Sequence, residues 1–264
     1  MIDIVEKIVR SAGEILRSHY GKLQHTHVDE KSAHDYVTIA DKASESFIID
    51  KLTDAFPEIG ILAEESGEAI NNHTSYWIID PLDGTKNFIQ SIPYFAISIG
   101  LMTNNELTFG IVYHPMMDEC FYAEKGKGAF LNGVPISISP LSDFSRGFIS
   151  TGFPFKKREL SRAYFSAFED IFSQITNVRR CGAAALDLAY TAAGRYDGFW
   201  ELGLSPWDMA AGALLIKEAG GIVTDFNGND DYLNSGNIIA GNSIIHSKLH
   251  QTIYTHFEGL ANDK

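Results

Sequence analysis

The chain predicts an α+β fold with helices layered on sheets, and three features carry that expectation. Residues 1–20 show an amphipathic helix pattern, residues 94–130 read as an antiparallel meander, and the second half alternates helices with short strands. In order, Ile2, Val5, Ile8, Val9, Ala12, Ile15 and Leu16 recur at helical spacing, with Gly21 as the stop. A second helix runs from Thr38 to about Phe56, burying Ala43, Phe47, Ile48 and Leu52, and Pro57 closes it. Ile59–Ala63 and Trp77–Ile79 read as short buried strands, each delivering an acid at its carboxyl end, Glu64 and Asp80. The meander comprises 96–101, 107–113 and 119–123, with Asn104-Asn105 at a turn. Asn132-Gly133 then marks a tight hairpin between 129–131 and 134–136. A strand near Gly147 opens the second half. Helices are expected at 160–172, 183–193, 206–219 and 246–257, and strands at 198–201, 221–224 and 237–240. One domain over 1–264 is expected, with halves of about 1–145 and 146–264.

Bulk properties narrow the function. The formal net charge is −13, which argues against nucleic acid or an anionic membrane as the main partner, since both need a basic footprint. Cys120 and Cys181 are too few for a disulfide framework and form no CxxC pair, which fits a reducing compartment. The first helix carries Asp3, Glu6 and Glu14, unlike a signal peptide, and no stretch approaches a membrane span. A cytoplasmic location is expected.

The most informative stretch is Asp80-Pro81-Leu82-Asp83-Gly84-Thr85, directly after the apolar Tyr76-Trp77-Ile78-Ile79. Two carboxylates three residues apart, a carbonyl and a hydroxyl can hold hard cations such as Mg²⁺, while Gly-Thr amides face an anion. An acidic protein attracts a phosphate poorly unless cations reverse the local field, so the two halves of the motif belong together. Each acid also has an ordinary explanation. Thr38-Ile39-Ala40-Asp41 and Ser205-Pro206-Trp207-Asp208 read as helix capping boxes, Asp83-Gly84 as a turn, and Glu64-Glu65 as a solvated loop. The surplus of 34 acids over 21 bases means they cannot all be neutralised by protein cations. No histidine spacing suggests zinc, and Gly126-Lys127-Gly128 lacks the spacing of a P-loop.

Three separated motifs, Ala63-Glu64-Glu65-Ser66, Asp80-Pro81-Leu82-Asp83-Gly84-Thr85 and Pro206-Trp207-Asp208-Met209-Ala210-Ala211-Gly212, resemble the inositol monophosphatase family in identity and order. This is a group of Mg²⁺-dependent, lithium-sensitive sugar-phosphate phosphatases. Phe199-Trp200-Glu201 and Glu218-Ala219-Gly220-Gly221 match as well, and the likeness spans nearly the whole chain. The resemblance implies an αβαβα sandwich, usually a homodimer, with two or three Mg²⁺ per site. By similarity, Glu64 and Asp80 ligate one metal with the Leu82 carbonyl and the Thr85 hydroxyl, and Asp80 bridges to a second that Asp83 and Asp208 complete. A third, weaker ion leans on Glu64. The amides of Gly84 and Thr85 cradle phosphate, with Asp83 and Asp208 alongside. Asp41 pairs with Thr85 to help activate water, and Lys31 falls where the family carries a lysine. Gly182, Ala183 and Ala184 let a polyol approach the backbone, and Glu201 accepts from substrate hydroxyls. Plain helix propensity for the alanines and a surface charge at Glu201 are the competing explanations.

The implied reaction is hydrolysis of a phosphate monoester by activated water. An aspartyl-phosphate at Asp80 or Asp83 is disfavoured because both serve as ligands. Inositol-1-phosphate or a related polyol phosphate is the favoured substrate, with histidinol, sugar and nucleotide phosphates as alternatives inside the family. A non-catalytic regulatory protein on the same fold is the alternative of another class, and a metal-dependent nuclease conflicts with the acidic balance.

Overall fold

The computed structural model describes residues 1–23, 28–32, 35–69 and 74–260, with backbone alone at 30–32, 35, 36 and 69. Helix α1 (Ile2–His19) leads to a small hairpin of β1 (Val28–Ser32) and β2 (Asp35–Thr38), then helix α2 (Ile39–Ala55). Strands β3 (Gly60–Ala63), β4 (Gly67–Ala69) and β5 (Ser75–Asp83) precede the short helix α3 (Thr85–Ile89). Next come β6 (Ala96–Thr103), β7 (Glu106–His114), β8 (Glu119–Glu124), β9 (Ala129–Leu131) and β10 (Val134–Ile136). The second half runs β11 (Phe148–Thr151), α4 (Ser161–Phe172), β12 (Asn177–Arg179), α5 (Ala184–Ala192), β13 (Gly198–Leu202) and α6 (Pro206–Glu218). It ends with β14 (Ile222–Thr224), α7 (Tyr232–Ser235), β15 (Asn237–Gly241) and α8 (Ser243–Phe257).

Two large sheets organise the chain. The first has strand order β10-β9-β8-β7-β6-β5-β3-β4, the second β12-β11-β13-β15-β14. Side-chain alternation on the first sheet separates two cores. Trp77, Ile79, Ile97, Ile99 and Ile111 pack under α1 and α2, while Ala96, Val112 and Phe121 pack with α5 and α6 on the opposite face. The far side of α5 and α6 meets Phe199, Ile238 and Ala240 of the second sheet, whose outer face packs Trp200 and Ile239 against α4 and α8. The result is five layers, αβαβα. The first sheet is not purely antiparallel, because β3 runs parallel to β5, and the second pairs β11 in parallel with both β12 and β13.

Two glycines set how closely the middle layer approaches. A Cβ on Gly100 would lie 2.9 Å from the Ala210 Cβ, and one on Gly110 would lie 2.9 Å from the Ala211 Cα. Any side chain at these paired positions would push α6 off the sheet. The N-terminus of α6 is therefore held tightly over β5 and β6, where the Ser98 hydroxyl donates to the Trp207 carbonyl at 3.1 Å.

Helix α2 departs from the hydrophobic stripe that its sequence suggests. Its buried residues are Ala40, Asp41, Ser44, Glu45, Ile48 and Leu52, while Ala43 and Phe47 are only partly covered. No helix among the described residues is long and apolar enough to cross a membrane.

Candidate active site

Strand β5 does not stop at Ile79 but continues through Asp83, and this extension builds the site. Asp80 pairs with Ser98 and Asp83 with Ala96, so three steps along β5 face two along β6. The extra residue makes a β-bulge between Asp80 and Asp83, a stretch that includes Pro81, which cannot donate to a ladder. In a regular strand, residues three apart point to opposite faces. The bulge removes that alternation, and Asp80 and Asp83 both turn toward α5 and α6.

The other acids arrive from neighbouring element ends. Glu64 follows β3, whose parallel register with β5 ends at Ala63 opposite Ile79, and its amide donates to the Ile79 carbonyl at 3.1 Å. Asp208 lies in the first turn of α6, where one carboxylate oxygen caps the Ser205 amide at 2.7 Å. Carboxylate oxygens of Asp80, Asp83 and Asp208 all fall within 4.8 Å of one another. At an effective dielectric near 20, each like-charged pair at that spacing costs about 3 kcal/mol. Three such pairs rival a domain's whole stability of about 5–15 kcal/mol. At neutral pH the cluster must retain protons or take up cations.

The protonation behaviour agrees. Burial, then the charges of Glu64, Asp83 and Asp208, drives the Asp80 carboxyl well above the usual range. Burial and then Asp208 do the same to Asp83, against the Ala185 amide that donates to it at 2.7 Å. Asp208 keeps one edge on the cleft but is surrounded by protein, and burial raises it to about 6 although Lys156 pulls the other way. The candidate ligands are oxygens, with Leu82 able to offer only its carbonyl because its side chain is hydrocarbon. That set suits a hard divalent cation.

Beside the cluster, Gly84 adopts φ 90°, and a Cβ there would meet the Tyr94 carbonyl at 3.0 Å. Glycine alone is comfortable in that turn, which leads into α3. The Thr85 hydroxyl lies 3.1 Å from both an Asp41 oxygen and the Leu82 carbonyl, and shares its single proton between them. The second Asp41 oxygen accepts from the Thr38 amide at 2.9 Å and from the Thr38 hydroxyl at 2.6 Å. Asp41 is buried, which raises its carboxyl to about 6 against these donors. The capping role and the contact with Thr85 coexist because each uses one oxygen.

These residues open onto a cleft of about 450 Å³, lined by Glu64, Asp80, Leu82, Asp83, Gly84, Thr85 and Asp208 on one side. Gly182, Ala184 and Glu201 line the other side, whereas Ala183 is buried beside Gly84. Burial and then Asp187 push the Glu201 carboxyl well up, opposed by Arg180. Gly152 has no room for a Cβ, which would fall 1.8 Å from a Glu201 carboxylate oxygen. The side chain of Lys31 lies outside the described residues.

Sequence reasoning missed a cationic and aromatic wall. Lys86, Phe153, Phe155, Lys156 and Arg180 all line the cleft. The Arg180 guanidinium sits 5.6 and 5.2 Å from the ring centres of Phe153 and Phe155, and the Lys86 ammonium 5.1 Å from Phe155. The available signal was Phe153-Pro154-Phe155-Lys156-Lys157, aromatic and basic residues around a proline directly after a strand.

Comparison with known proteins gives a consistent picture. The model of the Inositol monophosphatase family matches residues 1–261. The "Nus factor SuhB" of Escherichia coli (strain K12) is 44% identical over 243 residues, covering 92% of this chain and 91% of that protein. An "Inositol-1-monophosphatase" of Mesorhizobium japonicum is 40% identical over 250 residues, 94% of each chain. Among solved structures, the extragenic suppressor protein suhB of Bartonella henselae superposes with a TM-score of 0.92 at 42% identity, covering 96% of this chain and 97% of that one.

Proposed function

The chain belongs to the inositol monophosphatase family, and on that premise we propose that it is a divalent-metal-dependent phosphatase of small polyol phosphates, inositol-1-phosphate foremost. The observation that carries the reading is the meeting of Asp80, Asp83 and Asp208 within 4.8 Å, in a cleft that also holds Glu64, Leu82 and Thr85. The oxygen donors favour Mg²⁺, two or three per site, with Glu64, Asp80, the Leu82 carbonyl, Asp83, Thr85 and Asp208 as ligands. When bound, such ions neutralise phosphoryl charge and lower the pKa of water.

The chain's own groups divide the remaining work. The amides of Gly84 and Thr85 face the incoming phosphate and stabilise charge that grows on its oxygens. The attacking water gives its proton toward the Thr85 hydroxyl, which hands its own to Asp41. A carboxyl poised near 6 is well matched to that task at neutral pH. Glu201 accepts from hydroxyls of the leaving polyol, and Gly182 and Ala184 leave that polyol room.

Relatives named Nus factor support a second reading, a regulatory binding role on the same fold. The complete acid set favours catalysis, because a binding surface has no need of three mutually repelling carboxylates. The test compares p-nitrophenyl phosphate, inositol-1-phosphate and histidinol phosphate with Mg²⁺, then with EDTA or lithium. The expected result is metal-dependent release with the highest kcat/KM on inositol-1-phosphate. Absence of metal-dependent release from every substrate would overturn the phosphatase reading.

A further inference from the structure

Buried polar side chains on α2 remain unexplained by the chemistry above. Ser44 and Glu45 are 0% and 4% exposed, on the face of the helix that also carries Asp41. Residues at i, i+3 and i+4 share one helical face, so the three point together at the underside of the site. Buried glutamate is rare unless partnered, and an apolar residue would pack here at lower desolvation cost. The position is therefore one where packing alone would not select an acid.

Their partners are the backbone segments that carry the cluster. The Ser44 hydroxyl donates to the Pro81 carbonyl at 3.0 Å, within the bulge where the regular ladder is interrupted. A Glu45 oxygen accepts the Glu65 amide at 2.9 Å, in the turn immediately after Glu64. The Asp41 contact to Thr85 completes a row of three. One rigid helix thus fixes, at three points, two segments that are otherwise far apart in the chain: 64–65 and 80–85. We propose that Ser44 and Glu45 are positioning residues that hold Glu64 and the Asp80–Asp83 corner at the separation that a divalent ion requires. The inference rests on the metal-dependent reading above and extends it to groups that touch neither ion nor substrate.

The test is direct ion binding to the intact protein, using Tb³⁺ luminescence and Mn²⁺ calorimetry, alongside activity against Mg²⁺ concentration. Partners outside the ligand set typically contribute about 10–100-fold to metal affinity. Ser44→Ala and Glu45→Ala should each weaken binding by about tenfold on that scale. Half-maximal activity should move to correspondingly higher Mg²⁺, with kcat regained at saturation. Glu45→Gln keeps an acceptor for the Glu65 amide and should bind as the parent does. Ion affinity unchanged in Ser44→Ala and Glu45→Ala would overturn the proposal, as would a loss of kcat that added Mg²⁺ fails to restore. Should Glu45→Ala not fold, Ser44→Ala with Glu45→Gln decides the matter. A parent protein that binds neither ion would remove the metal reading itself, and this inference with it.

Discussion

Helices α2 and α6 begin with the same four-residue device, and the two acids it presents end in different chemistry. In both, a Thr or Ser precedes the helix and an Asp three residues later turns back to cap it. Each Asp has a second oxygen free of the cap. For Asp41 that oxygen meets a hydroxyl, Thr85 at 3.1 Å. For Asp208 the carboxylate lies in a group with two further carboxylates, Asp80 and Asp83. Burial raises both to about 6. On the proposed reading the difference lies in the neighbour: a hydroxyl suits Asp41 to moving a proton, while carboxylates suit Asp208 to holding a cation. Local sequence fixes the cap, and the partner across space distinguishes the role proposed for each acid.

Neutralising each acid while keeping its cap separates the roles. Asp208→Asn still accepts the Ser205 amide but removes one charge from the cluster. Turnover should fall on the order of 10²–10³-fold, as for loss of a preorganised electrostatic group. The metal-free protein should melt no lower than the parent, because two of three repulsive pairs are gone. Near-normal turnover would break the contrast. Asp83→Asn, still able to accept from the Ala185 amide, should behave alike. Asp41→Asn should cost less, on the order of 10²-fold, the usual share of one acid–base group. The parent's pH–rate profile should rise near pH 6, and Asp41→Asn should lose that limb. An unchanged limb would show that Asp41 is only a cap.

Stability against pH sharpens the same comparison. Asp41 and Asp208 are raised from 3.8 to about 6, and Asp80 and Asp83 well above 3.8. The folded protein therefore holds these protons more tightly than the unfolded chain. The stability that Asp41 and Asp208 confer is full below about pH 4 and is lost as pH rises through 6, and that of Asp80 and Asp83 is lost as pH rises through their own raised values. If metal takes the place of the lost protons, as the proposed reading requires, Mg²⁺ should raise the melting temperature more at pH 7.5 than at pH 5. Scanning fluorimetry with Mg²⁺ or EDTA measures the difference, and Asp208→Asn should shrink it. An Mg²⁺ increment independent of pH would separate the ions from this cluster.

Much of the fold was legible because its signals are periodic. The amphipathic stripe of α1, the meander and the Asn132-Gly133 hairpin stand where the apolar spacing and turn chemistry put them. The β1–β2 hairpin was not legible, since Val28-Asp29-Glu30-Lys31-Ser32 has no apolar alternation. The strand reads as ending at Ile79, yet β5 runs on through Pro81, because a bulge tolerates the missing donor. The acids were visible as motifs, but their convergence depends on that bulge and on the glycine contacts under α6. Glu45 and Ser44 were hidden for a related reason: polar residues at helical spacing read as a solvated face, and only the layer above β5 buries them. Lys156 and Arg180 lie on connections, where no periodicity marks which side chains turn inward.

The smallest effect isolates the caps themselves. Thr38→Ala and Ser205→Ala should each cost about 1 kcal/mol of stability, the ordinary value of an N-cap. Their activities should nevertheless diverge. Asp208 is held by the backbone amide of Ser205, which the substitution leaves in place. Asp41 takes both the amide and the hydroxyl of Thr38, the latter at 2.6 Å. Without that hydroxyl, Asp41 keeps the Thr38 amide but loses its shorter contact and is aimed at Thr85 less firmly, so Thr38→Ala should lose turnover several-fold while Ser205→Ala keeps nearly all of it. Paired thermal melts and kcat measurements decide it. Equal losses of activity would mean that the two caps act only by holding their helices, and that the hydroxyl at Thr38 has no part in aiming the acid.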